Sequence, residues 1–267
     1  MKSLTKTTIS IALTICLILT TITPTFAYED VSSISNGYSY FLNSIQSDVN
    51  NGSVKILENI SNSKGVKDIK VKYSNGIIAQ IKEKQIGNKV YLDIVEGTLK
   101  NKLIIDLESN SIILNNKNVR ITSILEAENR EDINTYQISP FASWIYNDSP
   151  IYGSEENYTR YISYSKHNVN LNNSINNITL TAFVAIISVV LSGGTGIGIA
   201  ILGVGASAFY EYVSFNDPYT KRVYMDETQY YHKTLNFYKK HFCQYYDNSN
   251  YTNAYSDSTF YSGWAGN

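Results

Sequence analysis

The chain has 267 residues, with 22 Lys and Arg against 23 Asp and Glu, so its formal charge at pH 7 is -1. A chain this close to neutral has no general electrostatic attraction to nucleic acid, which excludes proteins that bind DNA or RNA through net positive charge. Aromatic residues are abundant, with 23 tyrosines, and the length suits one large domain or two modest ones.

The first 27 residues have the pattern of a secretory signal peptide. Lys2 and Lys6 precede an apolar run at 9–22, and the segment ends in the small residue Ala27. We expect cleavage after Ala27 and a secreted, extracellular protein. Without Lys2 and Lys6 the formal charge becomes -3. Cys243 is then the one cysteine of the mature chain, so no internal disulfide can form.

Residues 28–140 predict a short helix followed by an antiparallel β-meander. Apolar residues recur at helical spacing between Tyr38 and Val49. From 68 to 121, short β-branched runs alternate with turns, and Gly87-Asn88 is a two-residue hairpin turn. With this turn, one face of the hairpin is mostly apolar, and the other face carries an ion pair between Lys82 and Asp93. The predicted partners are Ile86 with Lys89, Gln85 with Val90, Lys84 with Tyr91, Lys82 with Asp93, and Ile81 with Ile94.

A charged, irregular segment at 123–140 predicts a linker and a domain boundary near Pro140. The second domain, 141–267, is expected to hold a hydrophobic, glycine-rich helical hairpin at 178–213. Tyrosine-rich strands are expected on both sides of the hairpin, and after it they fall at 222–231, 233–246 and 251–264. The predicted fold class is α+β.

No Asp, Glu, Lys or Arg lies between His167 and Tyr210. So much apolar surface requires a protein core, an oligomer interface or a lipid bilayer. As a helix, 178–191 would be about 21 Å long against about 30 Å of hydrocarbon, so a buried core competes with insertion. The candidate membrane-contacting residues are Ile178, Phe183, Val184, Ile187, Val190, Gly194, Gly198, Ile201, Gly203, Gly205 and Phe209. The candidate interfacial aromatic residues are Tyr161, Tyr164, Tyr210 and Tyr212.

Sequence patterns for enzyme chemistry are weak. His167, His232 and His241 do not form a His-Glu-x-x-His motif. Cys243 lies two residues from His241, on the same side of a strand, which is only a loose match to a thiol enzyme. The glycine-rich run 193–198 lacks the lysine of a phosphate-binding loop. We therefore expect no catalytic residues, no metal and no cofactor.

Trp144, the uncharged segment 178–209, and the tail with Tyr230-Tyr-His-Lys and Phe237-Tyr-Lys-Lys240 resemble the geobacillin family of large secreted bacteriocins. The resemblance implies an unmodified antibacterial protein of Gram-positive origin without a known catalytic site. We expect a non-enzymatic toxin that acts on competitor membranes through the hydrophobic hairpin. An immunity protein is a candidate partner, and oligomerisation is open. The alternative is a membrane-anchored or assembled cell-surface structural protein.

Overall fold

The computed structural model describes residues 54–63, 65–73, 75–128, 143–147, 149–192 and 203–265. All of them belong to one compact unit, 37–267. The helix predicted at 38–49 lies outside the described residues. Two α-helices are described, Leu180–Ser192 (α1) and Gly203–Asn216 (α2). Short 3-10 helices at Glu155–Asn157 and Ile175–Asn177 precede a strand and α1.

Twelve strands are hydrogen-bonded into one antiparallel sheet, in the order β1-β2-β3-β4-β5-β6-β7-β9-β10-β11-β12-β8. Only β8 leaves sequence order, because it lies beside β12 at the far edge while β9 returns to β7. The strands are Val54–Ser61 (β1), Val66–Tyr73 (β2), Ile78–Ile86 (β3), Lys89–Glu96 (β4), Leu99–Asp106 (β5), Ser111–Leu114 (β6), Lys117–Glu128 (β7), Ser143–Asn147 (β8), Tyr158–Asn170 (β9), Arg222–His232 (β10), Lys239–Tyr246 (β11) and Ser256–Ala265 (β12).

The predicted α+β class, with a helical hairpin beside separate strands, is wrong. Most of the described chain is one antiparallel sheet with two short helices. Residues 123–128 of the predicted linker are the second half of β7, which pairs with β9 and joins the meander to the tyrosine-rich strands. This half of β7 is exposed on both sides, with Ile124 and Leu125 in solvent, so it lacks the alternation that marks a strand. The domain boundary near 140 lies outside the described residues and stays a prediction.

The register predicted for the β3–β4 hairpin is confirmed at all five pairs, from Ile86 with Lys89 to Ile81 with Ile94. The predicted ion pair is wrong. Lys82 Nζ instead forms an ion pair with Asp68 Oδ1 of β2 at 3.9 Å, and Asp93 Oδ1 forms one with Lys102 Nζ of β5 at 3.9 Å. Each inner strand has a partner on both sides, and the hairpin pattern describes only one of them.

The core lies between the inner face of the sheet and the helices. α1 contacts β4, α2 contacts β11 and β12, and the helices contact each other. The inner face alternates with the outer one along each strand, as β4 shows with Val90, Leu92 and Ile94 buried. No described helix reaches the length and apolar content that crossing a membrane would require.

Candidate functional site: the helix compartment

The candidate site is the compartment in which α1 packs between the sheet and the buried side of α2, which we call the helix compartment. Every residue from Ile178 to Val189 is buried, and Phe183 is 0% exposed. The Phe183 ring lies 6.3 Å from the ring of Phe209 and 5.5 Å from that of Tyr210, both on α2. Phe209 in turn stacks on Tyr245 of β11 at 5.8 Å. A helix that covers one sheet needs a single apolar stripe, whereas α1 is apolar on all sides.

The start of α1 is held by side chains of the meander. The backbone N–H groups of Leu180 and Thr181 donate to the two carboxylate oxygens of Glu96, at 2.9 and 2.7 Å. The N–H of Thr179 donates to Asn101 Oδ1 at 2.6 Å, and the N–H of Ala182 donates to Thr179 Oγ1 at 3.1 Å. The N–H groups of the first helical turn are therefore all paired inside the protein, two of them with a group that suits the positive end of the helix dipole.

Two tyrosine hydroxyls complete this anchor. Tyr73 of β2 hydrogen-bonds the Thr181 hydroxyl at 2.8 Å, and Tyr210 of α2 donates to the carbonyl of Ile178 at 2.6 Å. Burial raises the pKa of Tyr210 to about 12, with a further rise from the Glu96 charge. Burial also raises the pKa of Tyr73. Both phenols are therefore neutral and able to donate at physiological pH, which links α1 to β2 and α2.

Burial raises the pKa of Glu96, and the hydrogen bonds from Thr181 and Leu180 counteract that rise only in part. Replacing Glu96 with alanine is expected to lower the free energy of unfolding by about 2 kcal/mol or more, because each buried donor left without an acceptor costs about 1–3 kcal/mol. Asp93→Ala is the matched control, because Asp93 lies on the same strand with its side chain in solvent. Urea unfolding measures both variants, and equal losses would contradict the anchor.

The structure places the predicted site residues in different surroundings. Phe183, Phe209 and Tyr210 come together in the helix compartment. Tyr164 lies on the outer face of the sheet, where its hydroxyl donates to Asp226 at 2.9 Å, and Tyr161 packs against Tyr230, so these two do not border the helices. Of the predicted membrane-contacting and interfacial residues, those fully buried are Ile178, Phe183, Val184, Ile187 and Phe209, and Tyr210 is also buried. Those that are half-buried are Val190, Tyr161, Tyr164 and Tyr212. Gly203 and Gly205 lie in the first turn of α2, and Gly194, Gly198 and Ile201 lie outside the described residues.

Sequence reasoning missed the residues that anchor α1. Glu96 follows Val90, Leu92 and Ile94 at alternate positions, so the predicted register already put a carboxylate on the apolar face. An acid on an inward face needs a partner, which was a usable signal for a buried acceptor site. The sequence could not show which N–H groups donate to Glu96, because Leu180 at the start of α1 lies 84 residues later in the chain.

No family model, curated protein or solved structure matches this chain. The likeness to the geobacillin family therefore stays a proposal, carried by the residues given above.

Proposed function

We propose that this chain is a secreted antibacterial protein that acts on competitor membranes. In the dissolved protein α1 and the apolar side of α2 stay buried in the helix compartment, and they contact lipid after the compartment opens. The observation that carries this proposal is the apolar surface of α1, which is buried, contacts β4 and α2, and is anchored by polar groups at its start. An immunity protein in the producing cell is the partner that such an activity calls for.

The free energy of burial explains why water would keep the compartment closed. Each large apolar side chain of α1 gains about 1.5–3 kcal/mol from leaving water, so exposing the helix to solvent is strongly unfavourable. Hydrocarbon removes that penalty, because lipid tails are as apolar as the core. α1 has 13 residues and is therefore about 20 Å long, which suits entry into part of a bilayer of about 30 Å.

An exposed aromatic pair at the end of α2 supports a first contact with lipid. Phe215 is 88% exposed and Tyr219, four residues later, is 77% exposed. Aromatic rings favour the boundary between water and lipid, and these two lie in the last turn of α2 and just after it, on a helix whose other side is buried. Replacing both with alanine is expected to weaken vesicle binding at least tenfold. Co-sedimentation with vesicles measures it, and unchanged binding would rule out this pair as the contact.

Cys243 is a built-in reporter for the opening of the compartment. Its side chain is fully buried, and burial raises the pKa of its thiol, so it should react slowly while the protein is closed. It lies on the same strand face as Tyr245, which stacks on Phe209 of α2. In a chain that starts at Tyr28, anionic vesicles are expected to speed maleimide labelling of Cys243 at least tenfold and to release trapped dye.

The two readings of that experiment separate the function from its mechanism. Dye release with Cys243 still protected would leave a membrane-active protein whose helices do not move. Absence of dye release from both anionic and neutral vesicles, together with no zone of inhibition on Gram-positive indicator strains, would overturn the proposed function.

The edge strand β1 favours an assembled cell-surface protein as the second candidate. Among the described strands β1 pairs only with β2, and its Leu57 and Ile60 are exposed. An open strand edge with apolar side chains is a site at which another chain can pair. Cell fractionation distinguishes the candidates, because a toxin appears in the culture supernatant while an assembled surface protein stays with the cells.

A further inference from the structure

Three polar side chains on neighbouring strands form a hydrogen-bonded series on the inner face of the sheet. Glu227 lies on β10, His241 on β11 and Ser262 on β12. Nδ1 of His241 is 2.7 Å from Glu227 Oε1, and its Nε2 is 2.7 Å from Ser262 Oγ. The three residues are 3%, 6% and 3% exposed. An acid, an imidazole and a hydroxyl in this order are the parts of an activated serine nucleophile.

The protonation states follow from the hydrogen bonds. Burial raises the pKa of Glu227, but the imidazoles of His167 and His241 outweigh burial and hold that pKa at about 2. The ionised carboxylate can only accept, so Nδ1 of His241 donates to it. When the imidazole is neutral, Nε2 carries the lone pair, and the Ser262 hydroxyl must donate its proton to Nε2. Proton transfer from Oγ to Nε2 is therefore already aligned.

Neighbouring groups hold the acid and the base in place. Gln229 Nε2 donates to Glu227 Oε2 at 3.1 Å, and His167 Nε2 lies 3.8 Å from the same oxygen. The ring of Phe260 stacks on the His241 imidazole, with centroids 4.3 Å apart and planes at 7°. These contacts restrict rotation of both side chains, which is what a general base requires in order to stay aimed at its nucleophile.

One cationic group lies beside the serine. Lys239 of β11 is the direct strand partner of Ser262, so the two side chains leave the same face about 5 Å apart at their Cβ atoms. Lys239 is half-buried, and its ammonium lies 5.5 Å from the centroid of the Tyr231 ring on β10. An ammonium group there would stabilise negative charge that develops on an oxygen close to Ser262.

We propose that Ser262, His241 and Glu227 form a serine-hydrolase site that cleaves carboxylic esters. Ser262 Oγ attacks the ester carbonyl carbon while His241 Nε2 takes its proton. The carbon–oxygen bond to the alcohol then breaks, and Nε2 returns the proton to the departing alcohol. Water attacks the acyl-serine with Nε2 as base, the acid is released, and Oγ regains its proton. Glu227 is the positioning residue, and Lys239 is the candidate group for the oxyanion.

This activity goes beyond the proposed action on membranes. The expectation of a protein without catalytic residues came from the absence of a local motif, and strand pairing alone assembles this series. Ser258 offers an internal comparison with Ser262, because its hydroxyl hydrogen-bonds the phenol of Tyr245 at 3.1 Å. Ser258 is also buried and lies on the same face of β12, yet no imidazole hydrogen-bonds it among the described residues.

A fluorophosphonate probe tests the proposal, since a nucleophilic serine displaces its fluoride and forms a phosphorus–oxygen bond. The chain from Tyr28 is expected to gain the mass of one probe less HF, and peptide mapping is expected to place the adduct on Ser262. Ser262→Ala and His241→Gln should each lower labelling and the hydrolysis of p-nitrophenyl acetate at least 100-fold. Ser258→Ala should change them less than threefold.

The native protein by itself can overturn the proposal, whatever the variants do. No labelling of the native chain, or a label mapped to a residue other than Ser262, would mean that the series is only a satisfied buried network. Glu227→Gln supplies a readout that packing alone would not move, because the pH profile of hydrolysis should shift as the partner of His241 loses its charge. Dye release by Ser262→Ala, measured in parallel, keeps this test separate from that of membrane action.

Discussion

Replacing Phe183 with alanine is expected to lower the free energy of unfolding by about 3–5 kcal/mol. Its ring is fully buried and contacts Phe209 and Tyr210, so the substitution leaves a cavity between the two helices. α1 is buried from Leu180 to Val189 and contacts both β4 and α2, which limits how far neighbours can collapse into that cavity. A loss of this size is a large fraction of the 5–15 kcal/mol that stabilises a typical domain.

Phe215→Ala is the matched control, because it also removes a phenyl ring, here from α2 at a position that is 88% exposed. We expect it to change stability by less than about 0.5 kcal/mol. Urea unfolding followed by tryptophan fluorescence measures both variants. Similar small losses would mean that the helices are not packed in the core of the dissolved protein, which would remove the basis for a closed compartment.

The fall in the free energy of unfolding at low pH is expected to come largely from Glu227. The pKa of this carboxyl in the folded chain is about 2 against an ordinary value of 4.5, because the imidazoles of His167 and His241 outweigh the effect of burial. On acidification the unfolded chain therefore takes up this proton first. The contribution is present above pH 4.5, amounts to roughly 3 kcal/mol, and is lost as the pH falls towards 2.

Urea unfolding between pH 6 and pH 2.5 measures this contribution. Glu227→Gln should be less stable than the native chain at pH 6, because two buried imidazoles lose their anionic partner, and its stability should fall less steeply below pH 4.5. Parallel acid limbs for the two proteins would contradict the assignment.

Glu96 and Glu83 act with the opposite sign. Burial raises both pKa values, although Lys67 lowers that of Glu83 and hydrogen bonds at the start of α1 lower that of Glu96. The folded chain holds these two protons more tightly than the unfolded chain, so their contribution is full below pH 4.5 and declines as the pH rises through the folded values.

Local patterns in the sequence predicted the hairpin at Gly87-Asn88 with its full register, because turn geometry and alternation involve residues close in the chain. They also pointed to the strands at Arg222–His232 and Lys239–Tyr246. They failed at residues 123–128, where a strand exposed on both faces shows no alternation. The α+β class failed with it, because that strand joins the two halves into one sheet.

The candidate sites were harder to predict than the strands. The uncharged run predicted that α1 must be enclosed or meet lipid, and the structure encloses it. The carboxylate that anchors α1 comes from a distant strand, and the Glu227, His241 and Ser262 series comes from three strands whose spacing matches no sequence motif.

The sequence by itself determined the turn positions and the inward faces of the strands, because these depend on short-range sterics. It also determined that an uncharged, apolar segment must be sheltered from water, because that depends on the free energy of hydration. Tertiary structure alone decided which side chains meet across the sheet and at the start of α1. Those pairs depend on strand order and helix docking, which bring together residues far apart in the chain.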